Sequence, residues 1–300
     1  MKPKPVEVED VGSLGKPHPI PERVVAMGDL HGDLDATRRA LRLAGAIDAK
    51  DVWIGAKLVV VQTGDQIDRG DEDKEILDLF DKLKAAAKAA GGDVVAMSGN
   101  HEIMNALFDF RYVTKGSYSH FDAVPGVKEA SPPTSPNALN LAPEARSRAI
   151  AFAPGGPYAK MIAKRPVVAR VGDSIFVHGG VLPKHVKKGL DKINADVAAF
   201  LEGTAKEPPS AAVSEDGVVW TRAYSAAPGK EECADLASVL KSLGAKRMVM
   251  GHTPQKPGIQ PACDKQGWRI DTGMAKVYGG PIEVLEIKGE AVTVLKESPK

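Results

Sequence analysis

Five short apolar runs are spaced along the chain, and each is followed by a polar motif that contains glycine. Short runs rich in valine, isoleucine and methionine that end at such a motif indicate buried β-strands. The runs occupy residues 23–27, 58–62, 94–97, 174–177 and 247–250. The motifs that follow them are Gly28-Asp29-Leu30-His31-Gly32, Gly64-Asp65-Gln66-Ile67-Asp68-Arg69-Gly70, Gly99-Asn100-His101-Glu102, His178-Gly179-Gly180 and Gly251-His252-Thr253.

Helical patterns separate the first of these strands. Residues 34–44 and 71–90 place apolar side chains three and four positions apart, and glycines at 45 and 91 end each pattern. The order of strand, motif and helix then repeats, as it does in βαβ units. The first part of the chain therefore predicts an α/β fold.

The middle of the chain breaks this rhythm. Residues 103–165 contain no clear strand, and residues 143–150 have the pattern of a helix with proline in its first turn. We interpret residues 103–165 as a helical insertion or cap beside a site; a plain connector is the alternative. The predicted organisation is an N-terminal extension (1–21), one domain (22–296) and a frayed tail (297–300).

The last third returns to regular elements. Helices are predicted over residues 188–201 and 231–244, and a strand over 268–271. Residues 282–287 and 291–295 alternate as two strands of a hairpin around Gly289.

Composition narrows the possible partners. Forty Lys and Arg residues balance 39 Asp and Glu residues, so the net charge of +1 favours no general nucleic-acid or membrane partner. No apolar stretch is long enough to span a bilayer, and the polar start lacks a signal-peptide core. The compartment stays open, since a leader could have been removed.

Cys233 and Cys263 match no zinc motif and are either buried thiols or a disulfide.

The motifs carry the candidate chemistry. Residues that follow parallel strands meet at one edge of a sheet, where α/β proteins usually bind ligands. Asp29 and His31 can hold one metal ion, and Asp65 can bridge two. The second ion would take Asn100, His178 and His252. These ligands suit Mn, Fe or Zn, and a pair of such ions can activate water and bind a phosphoryl group.

Four further residues complete the chemistry. His101 can donate a proton to a leaving group, and Asp68 can orient its ring. Arg69 and Arg222 can bind phosphate oxygens as planar forks. Each residue alone has an ordinary structural explanation, such as a helix cap or a surface ion pair. Four of the seven histidines fall inside the ordered motifs, however, and this joint occurrence favours the metal site.

The motif set resembles the calcineurin-like metallophosphoesterases. The Gly64–Gly70 and Gly99–Glu102 motifs resemble phosphoprotein phosphatases of the serine/threonine class. Gly251-His252-Thr253-Pro254-Gln255, Trp268-Arg269-Ile270-Asp271-x-Gly273-Met274 and Tyr278-Gly279-Gly280 narrow the likeness to the Shewanella-like phosphatases.

The resemblance implies a four-layer α/β sandwich, with two central mixed sheets flanked by helices. It implies Asp29, His31 and Asp65 on one metal ion, and Asp65, Asn100, His178 and His252 on the other. It assigns His101 as general acid with Asp68 as its partner. The residues on phosphate are then Arg69, Arg222 and Asn100.

Two finer points follow from the resemblance. Members often carry cysteines near positions 233 and 263, which favours a Cys233–Cys263 disulfide. The tyrosine-containing C-terminal loop of the eukaryotic enzymes has no match, and residues 276–278 can fill its place. A regulatory subunit is therefore not implied.

The function expected from the sequence is metal-dependent phosphomonoester hydrolysis. A metal-bound hydroxide would attack phosphorus in line. The expected cofactors are two divalent metal ions, and Mn²⁺ is expected ahead of Fe or Zn. The expected substrate is a phosphoprotein or phosphopeptide bearing phosphotyrosine, phosphoserine or phosphothreonine. The alternatives are a dinucleoside polyphosphate hydrolase or phosphodiesterase on the same site, and a non-catalytic phosphate-binding protein.

Overall fold

Two five-stranded sheets form the centre of the described part of the chain. A computed structural model describes Leu14 and residues 21–298. The predicted extension therefore lies largely outside the described residues, as do the last two residues of the tail. The strands are β1 Val24–Met27, β2 Val59–Gln62, β3 Asp93–Ala96, β4 Val168–Val171, β5 Ser174–Val177, β6 Arg247–Met250, β7 Gln260–Ala262, β8 Gly267–Arg269, β9 Glu283–Lys288 and β10 Ala291–Lys296.

Both sheets are mixed. The first has the order β10-β9-β1-β2-β3, in which β1, β2 and β3 are parallel and β9 and β10 are antiparallel. The second has the order β4-β5-β6-β8-β7, with β5, β6 and β8 parallel. Met27 pairs with Gln62, and Gln62 with Ala96, so the first three strands end level with one another. This register brings the first three motifs to one edge.

Successive side chains of a strand point to opposite faces of its sheet, and here one face packs against the other sheet and the opposite face against helices. The result is a four-layer arrangement. In β1, Val24 and Ala26 pack between the two sheets, whereas Val25 and Met27 pack against helices. Phe176 and Val249 of the second sheet meet the first sheet in the same inner layer. A strand buried on both faces reads as a continuous apolar run, as the sequence shows. Two mixed sheets flanked by helices confirm the predicted fold class.

The helices cover the outer faces of the sheets and fill the region between β3 and β4. They are α1 Leu34–Leu43, α2 Asp73–Ala89, α3 Asn100–Ala106, α4 Lys115–Tyr118, α5 Pro136–Leu139, α6 Arg146–Phe152, α7 Pro157–Ile162, α8 Pro183–Lys188, α9 Leu190–Leu201, α10 Ser210–Val213 and α11 Lys230–Leu243, with 3₁₀ turns at Ser119–Phe121 and Pro143–Ala145. The fully described segment 97–167 thus contains helices and turns without a strand. None of the helices placed by the structure is long and apolar enough to cross a membrane.

Three details differ from the sequence-based expectation. The helix expected over residues 188–201 is α9 and begins only at Leu190, because Gly189, with a φ of 92°, separates it from the additional short helix α8. Strands β4 and β7 are additional to the expected ones; each pairs antiparallel at a sheet edge, and β7 contains Pro261, which only an edge strand tolerates. Glu297, assigned to a frayed tail, instead forms an ion pair with Arg39.

A disulfide ties the second sheet to its outer helix. Cys233 lies in α11, Cys263 follows β7, and the two are joined across 30 positions of sequence.

Candidate metal centre

Asp65 lies at the centre of the site. Its Oδ2 atom is 3.1 Å from Nε2 of His178, 3.7 Å from Nε2 of His101 and 4.0 Å from Nε2 of His31. Asp29 approaches from β1, with Oδ2 3.8 Å from His31 Nε2. All five side chains are buried. The structure therefore brings together residues from four of the predicted motifs around one carboxylate.

Two groups of candidate ligand atoms share this carboxylate. His31, Asp65 and His101 form one group, and Asp65, His178 and His252 form the other, with the atoms of each group within 4.8 Å of one another. Asn100 joins the second group, since its Oδ1 is 2.9 Å from Nε2 of His178. The arrangement is that of two adjacent groups of candidate ligands that share Asp65.

The backbone adopts an uncommon conformation at the site. His31, Asp65 and His252 have φ values of 46°, 56° and 66°, and Asp68 and Arg69 have values of 70° and 71°. Such left-handed geometry costs about 1 kcal/mol or more for a residue with a side chain, and it persists where surrounding contacts impose it. These residues are held in place by the tertiary structure, not by local preference.

Gly99 permits the closest contact between two motifs. A Cβ atom at this position would overlap Oδ1 and the backbone nitrogen of Asp65. Oδ1 of Asp65 accepts a hydrogen bond from the backbone nitrogen of His101 at 2.9 Å. The absent side chain thus lets the start of α3 approach the central carboxylate.

Glu102 holds the contact between Gly99 and Asp65 in place. Its buried carboxylate accepts hydrogen bonds from the backbone nitrogens of Gly99, Asp65 and Gln66 at 2.7, 3.0 and 2.8 Å. This residue ties the second motif to the third. The bond from Gly99 is a local capping contact at the start of α3, whereas the bonds from Asp65 and Gln66 come from a separate loop and have no local signal.

The charges at the site are those of a cation-binding centre. Burial, together with neighbouring Asp271 and Asp65, raises the pKa of Asp29 well above its usual range. Burial lowers the pKa of His31 to about 3 and that of His252 to about 2, which keeps both imidazoles neutral. Neutral imidazoles and clustered carboxylates are the forms that ligate divalent metals.

Two orphaned atoms point to the same conclusion. Nε2 of His252 and Oδ2 of Asp271 are buried without a hydrogen-bond partner among the described residues. Asp271 is 1% exposed, and its other oxygen accepts a hydrogen bond from the Gly273 nitrogen at 2.9 Å. Asp271 belongs to the predicted strand 268–271 and to one of the family motifs, and the sequence assigned it no role in metal binding. The residues present therefore fit a pair of divalent cations.

His101 and Asp68 form a buried pair at the edge of the centre. Nδ1 of His101 lies 2.7 Å from Oδ2 of Asp68, and the opposite ring nitrogen points toward Asp65. Burial alone would lower the pKa of His101, but the carboxylates of Asp65 and Asp68 raise it to about 9. A ring held in this pairing can donate a proton.

Both predicted phosphate-binding arginines line the same cavity of about 100 Å³. Arg69 lies against two aromatic rings, 4.3 Å from the centre of Tyr112 and 5.4 Å from that of Tyr278. Arg222 donates from Nη1 to the carbonyl of His252 at 2.6 Å and to Thr253 Oγ1 at 2.9 Å. Tyr112 was not foreseen from the sequence, whereas Tyr278 lies in the segment expected to fill the place of the absent loop.

The family follows from comparison with known proteins. The model of the calcineurin-like phosphoesterase family matches residues 22–256, which is most of the chain. The chain belongs to the calcineurin-like phosphoesterase family. This membership confirms the resemblance inferred from the motifs, implies divalent metal ions, and identifies the protein as a hydrolase of phosphate esters.

Relatives of this phosphoesterase place it near one branch of the family. It is 41% identical to Shewanella-like protein phosphatase 2 of Arabidopsis thaliana over 93% of this chain and 78% of the relative. It is 30% identical to Shewanella-like protein phosphatase 1 of Plasmodium berghei (strain Anka) over 93% and 76%.

A solved structure agrees in fold with this phosphoesterase. The cold-active protein-tyrosine phosphatase of a psychrophilic Shewanella species superimposes with a TM-score of 0.73 at 23% identity, over 92% of this chain and 80% of that one.

Proposed function

We propose that this phosphoesterase is a phosphoprotein phosphatase that hydrolyses phosphomonoesters with two divalent metal ions. Mn²⁺ is the metal expected ahead of Fe or Zn. The observation that supports the proposal is one small cavity lined by candidate ligands, two arginines and the His101 ring, which is paired with Asp68. The relatives at 41% and 30% identity are named protein phosphatases, which favours a phosphoprotein substrate.

The metal ions would be held by the six predicted ligands, Asp29, His31, Asp65, Asn100, His178 and His252. When bound, they supply the positive charge that activates water and withdraws charge from the phosphoryl oxygens. The division of ligands between the two ions, with Asp65 shared, remains part of the proposal.

The chain's own residues bind and orient the phosphoryl group. Arg69 and Arg222 present guanidinium groups to the cavity, and paired N–H donors suit the oxygens of a phosphate. The rings of Tyr112 and Tyr278 both pack against the Arg69 guanidinium and restrict its movement. Asn100 lines the cavity, its Oδ1 lies 2.9 Å from Nε2 of His178, and its amide is the third group assigned to the phosphoryl oxygens.

Proton donation to the leaving group is assigned to His101. The ring lines the cavity, its Nδ1 atom is held by Asp68, and its Nε2 atom lies 3.7 Å from Oδ2 of Asp65. The same nitrogen also lies among candidate ligand atoms. We assign it to proton transfer because Asp68 holds Nδ1 at 2.7 Å and the ring lines the same cavity as the two arginines.

The site combines a small cavity with a larger adjoining groove. The cavity holds about 100 Å³, and a groove of about 680 Å³ adjoins it, with His31 and Arg69 lining both. A phosphorylated side chain would enter the small cavity while the flanking peptide lies in the groove.

The test is a set of initial rates after chelation and Mn²⁺ readdition. The substrates are matched phosphotyrosine, phosphoserine and phosphothreonine peptides, together with diadenosine tetraphosphate. We expect metal-dependent cleavage of the peptides, and their relative rates define the residue preference. Cleavage of the dinucleotide alone would replace the proposed substrate and leave the metal centre in place.

A further inference from the structure

Arg148 is a buried cation in the segment that the sequence marked as an insertion. It lies in α6, its side chain has no solvent exposure, and its guanidinium donates four hydrogen bonds. The acceptors are Asn105 Oδ1 at 2.8 Å, Asp73 Oδ2 at 2.6 Å, Ser117 Oγ at 2.7 Å and Asp68 Oδ1 at 3.0 Å.

One of these contacts leads directly to His101. Arg148 holds Oδ1 of Asp68, and the other oxygen of the same carboxylate lies 2.7 Å from Nδ1 of His101. Asn105 reinforces this geometry, because its Nδ2 atom donates to Asp68 Oδ1 and to the carbonyl of His101, each at 2.9 Å. Because both contacts involve one carboxylate, rotation of Asp68 would break its bond to Arg148 and at the same time turn the ring of His101.

The surroundings make this position specific for arginine. The guanidinium lies 5.7, 5.1 and 5.0 Å from the ring centres of Phe110, Phe121 and Phe152, which leave no polar replacement for a lost contact. A planar fork can satisfy four acceptors from three nitrogens, whereas a lysine ammonium has three donors from one point. Arg148→Lys therefore keeps the charge and loses the geometry.

An ordinary structural role would be to neutralise two buried carboxylates, Asp68 and Asp73. That role predicts lower stability and an equal loss of rate for every substrate. A role through His101 predicts a loss that grows as the leaving group becomes a stronger base, since only such leaving groups need the proton in the transition state. The two roles therefore differ in a measurable quantity.

We propose that Arg148 is a positioning residue for the general acid, so that the helical insertion completes the catalytic site of the domain. This inference rests on the proposed function, in which His101 donates the proton. It assigns the insertion a role in catalysis in addition to its place beside the substrate.

The experiment compares Arg148→Lys and His101→Ala with the Mn²⁺-loaded wild type on p-nitrophenyl phosphate, phenyl phosphate and a phosphoserine peptide. We expect Arg148→Lys to lower kcat about 10- to 100-fold on the phosphoserine peptide, as loss of a supporting partner usually does. The loss on p-nitrophenyl phosphate should be several-fold smaller. In the His101→Ala background, Arg148→Lys should cause no further selective loss.

The matched control is Arg247→Lys. Arg247 is also a buried arginine, and it donates to Asp173 Oδ1 and Ser174 Oγ, both at 2.9 Å, at the start of β6 away from the site. It should lower thermal stability without any dependence on the leaving group. Metal content and circular dichroism are measured for each variant.

If Arg148→Lys fails to fold, Ser117→Ala removes one acceptor of the same guanidinium and should give a selective loss of about two- to tenfold. A uniform loss in these variants beside a selective loss in His101→Ala would overturn this inference alone. A wild type that hydrolyses no monoester, or His101→Ala with equal losses on all substrates, would overturn the proposed chemistry and this inference with it.

Discussion

At the scale of single residues, the site depends on charges that water does not screen. The His101 ring is paired with Asp68, is 3% exposed, and lies 3.7 Å from the central carboxylate of Asp65. A protonated imidazole is stable there because two carboxylates face it. The same residue in an unfolded chain has an ordinary pKa of about 6.5.

This difference predicts a pH-dependent contribution to folding. Because the pKa of His101 is raised to about 9 in the folded protein, its charge stabilises the fold fully below pH ~6.5. The contribution is lost as the pH rises through about 9, and it amounts to ~3 kcal/mol at most. Urea unfolding of chelated wild type and His101→Gln, from pH 6 to 10, should show a stability gap that narrows with rising pH. A constant gap would contradict the pairing.

At the scale of elements, the loop that carries Asp65 packs tightly against Gly99 and the start of α3. Gly99 precedes α3, and its backbone nitrogen donates to Glu102 at 2.7 Å, while Asp65 occupies the space where a side chain would be. The approach of α3 to the second motif therefore depends on the absence of a Cβ atom at Gly99.

Gly99→Ala should separate α3 from Asp65 and abolish binding of at least one metal ion. The φ of Gly99 is −97°, which alanine adopts freely, so the effect is steric and not conformational. Metal content by mass spectrometry of the purified protein is the measurement.

Gly229→Ala is the matched control. Gly229 also precedes a helix and donates to the glutamate three residues later, and a Cβ there meets only the tip of Glu232 at 3.0 Å. It should bind metal like the wild type. Full metal content in both variants would show that the contact at Gly99 can relax.

At the scale of the whole molecule, the two sheets meet so that both contribute ligands to one centre. Asp29, Asp65 and Asn100 follow strands of the first sheet, whereas His178 and His252 follow strands of the second. Binding of a cation at their junction should therefore stabilise the packing of the two halves.

Mn²⁺ added to the chelated protein should raise its melting temperature. A ligand that binds only the folded state stabilises it by about 2.7 kcal/mol when present at 100 times its dissociation constant. Asp65→Asn, which weakens both cation sites at once, should abolish most of this shift. Calorimetry with and without Mn²⁺ provides the measurement, and an equal shift in both proteins would exclude Asp65 as the shared ligand.

The sequence alone determined most of the strands, their motifs and most of the candidate centre. An apolar run is a local property, and ligands that follow parallel strands of one sheet reach one edge of that sheet, whereas packing brought the two sheets together. The amino-acid pattern by itself therefore selects Asp29, His31, Asp65, Asn100, His178 and His252. Each lies within a few residues of the end of an apolar run, so a short window of sequence contains the signal.

Tertiary structure alone decided which distant residues complete the site. Arg148 lies 80 positions from Asp68, and Tyr112 belongs to a segment without a regular pattern, so neither has a local signal. The edge strands β4 and β7 likewise depend on their partners. Such contacts arise from packing across the molecule, in which a residue's role is set by its neighbours in space and not by its neighbours in sequence.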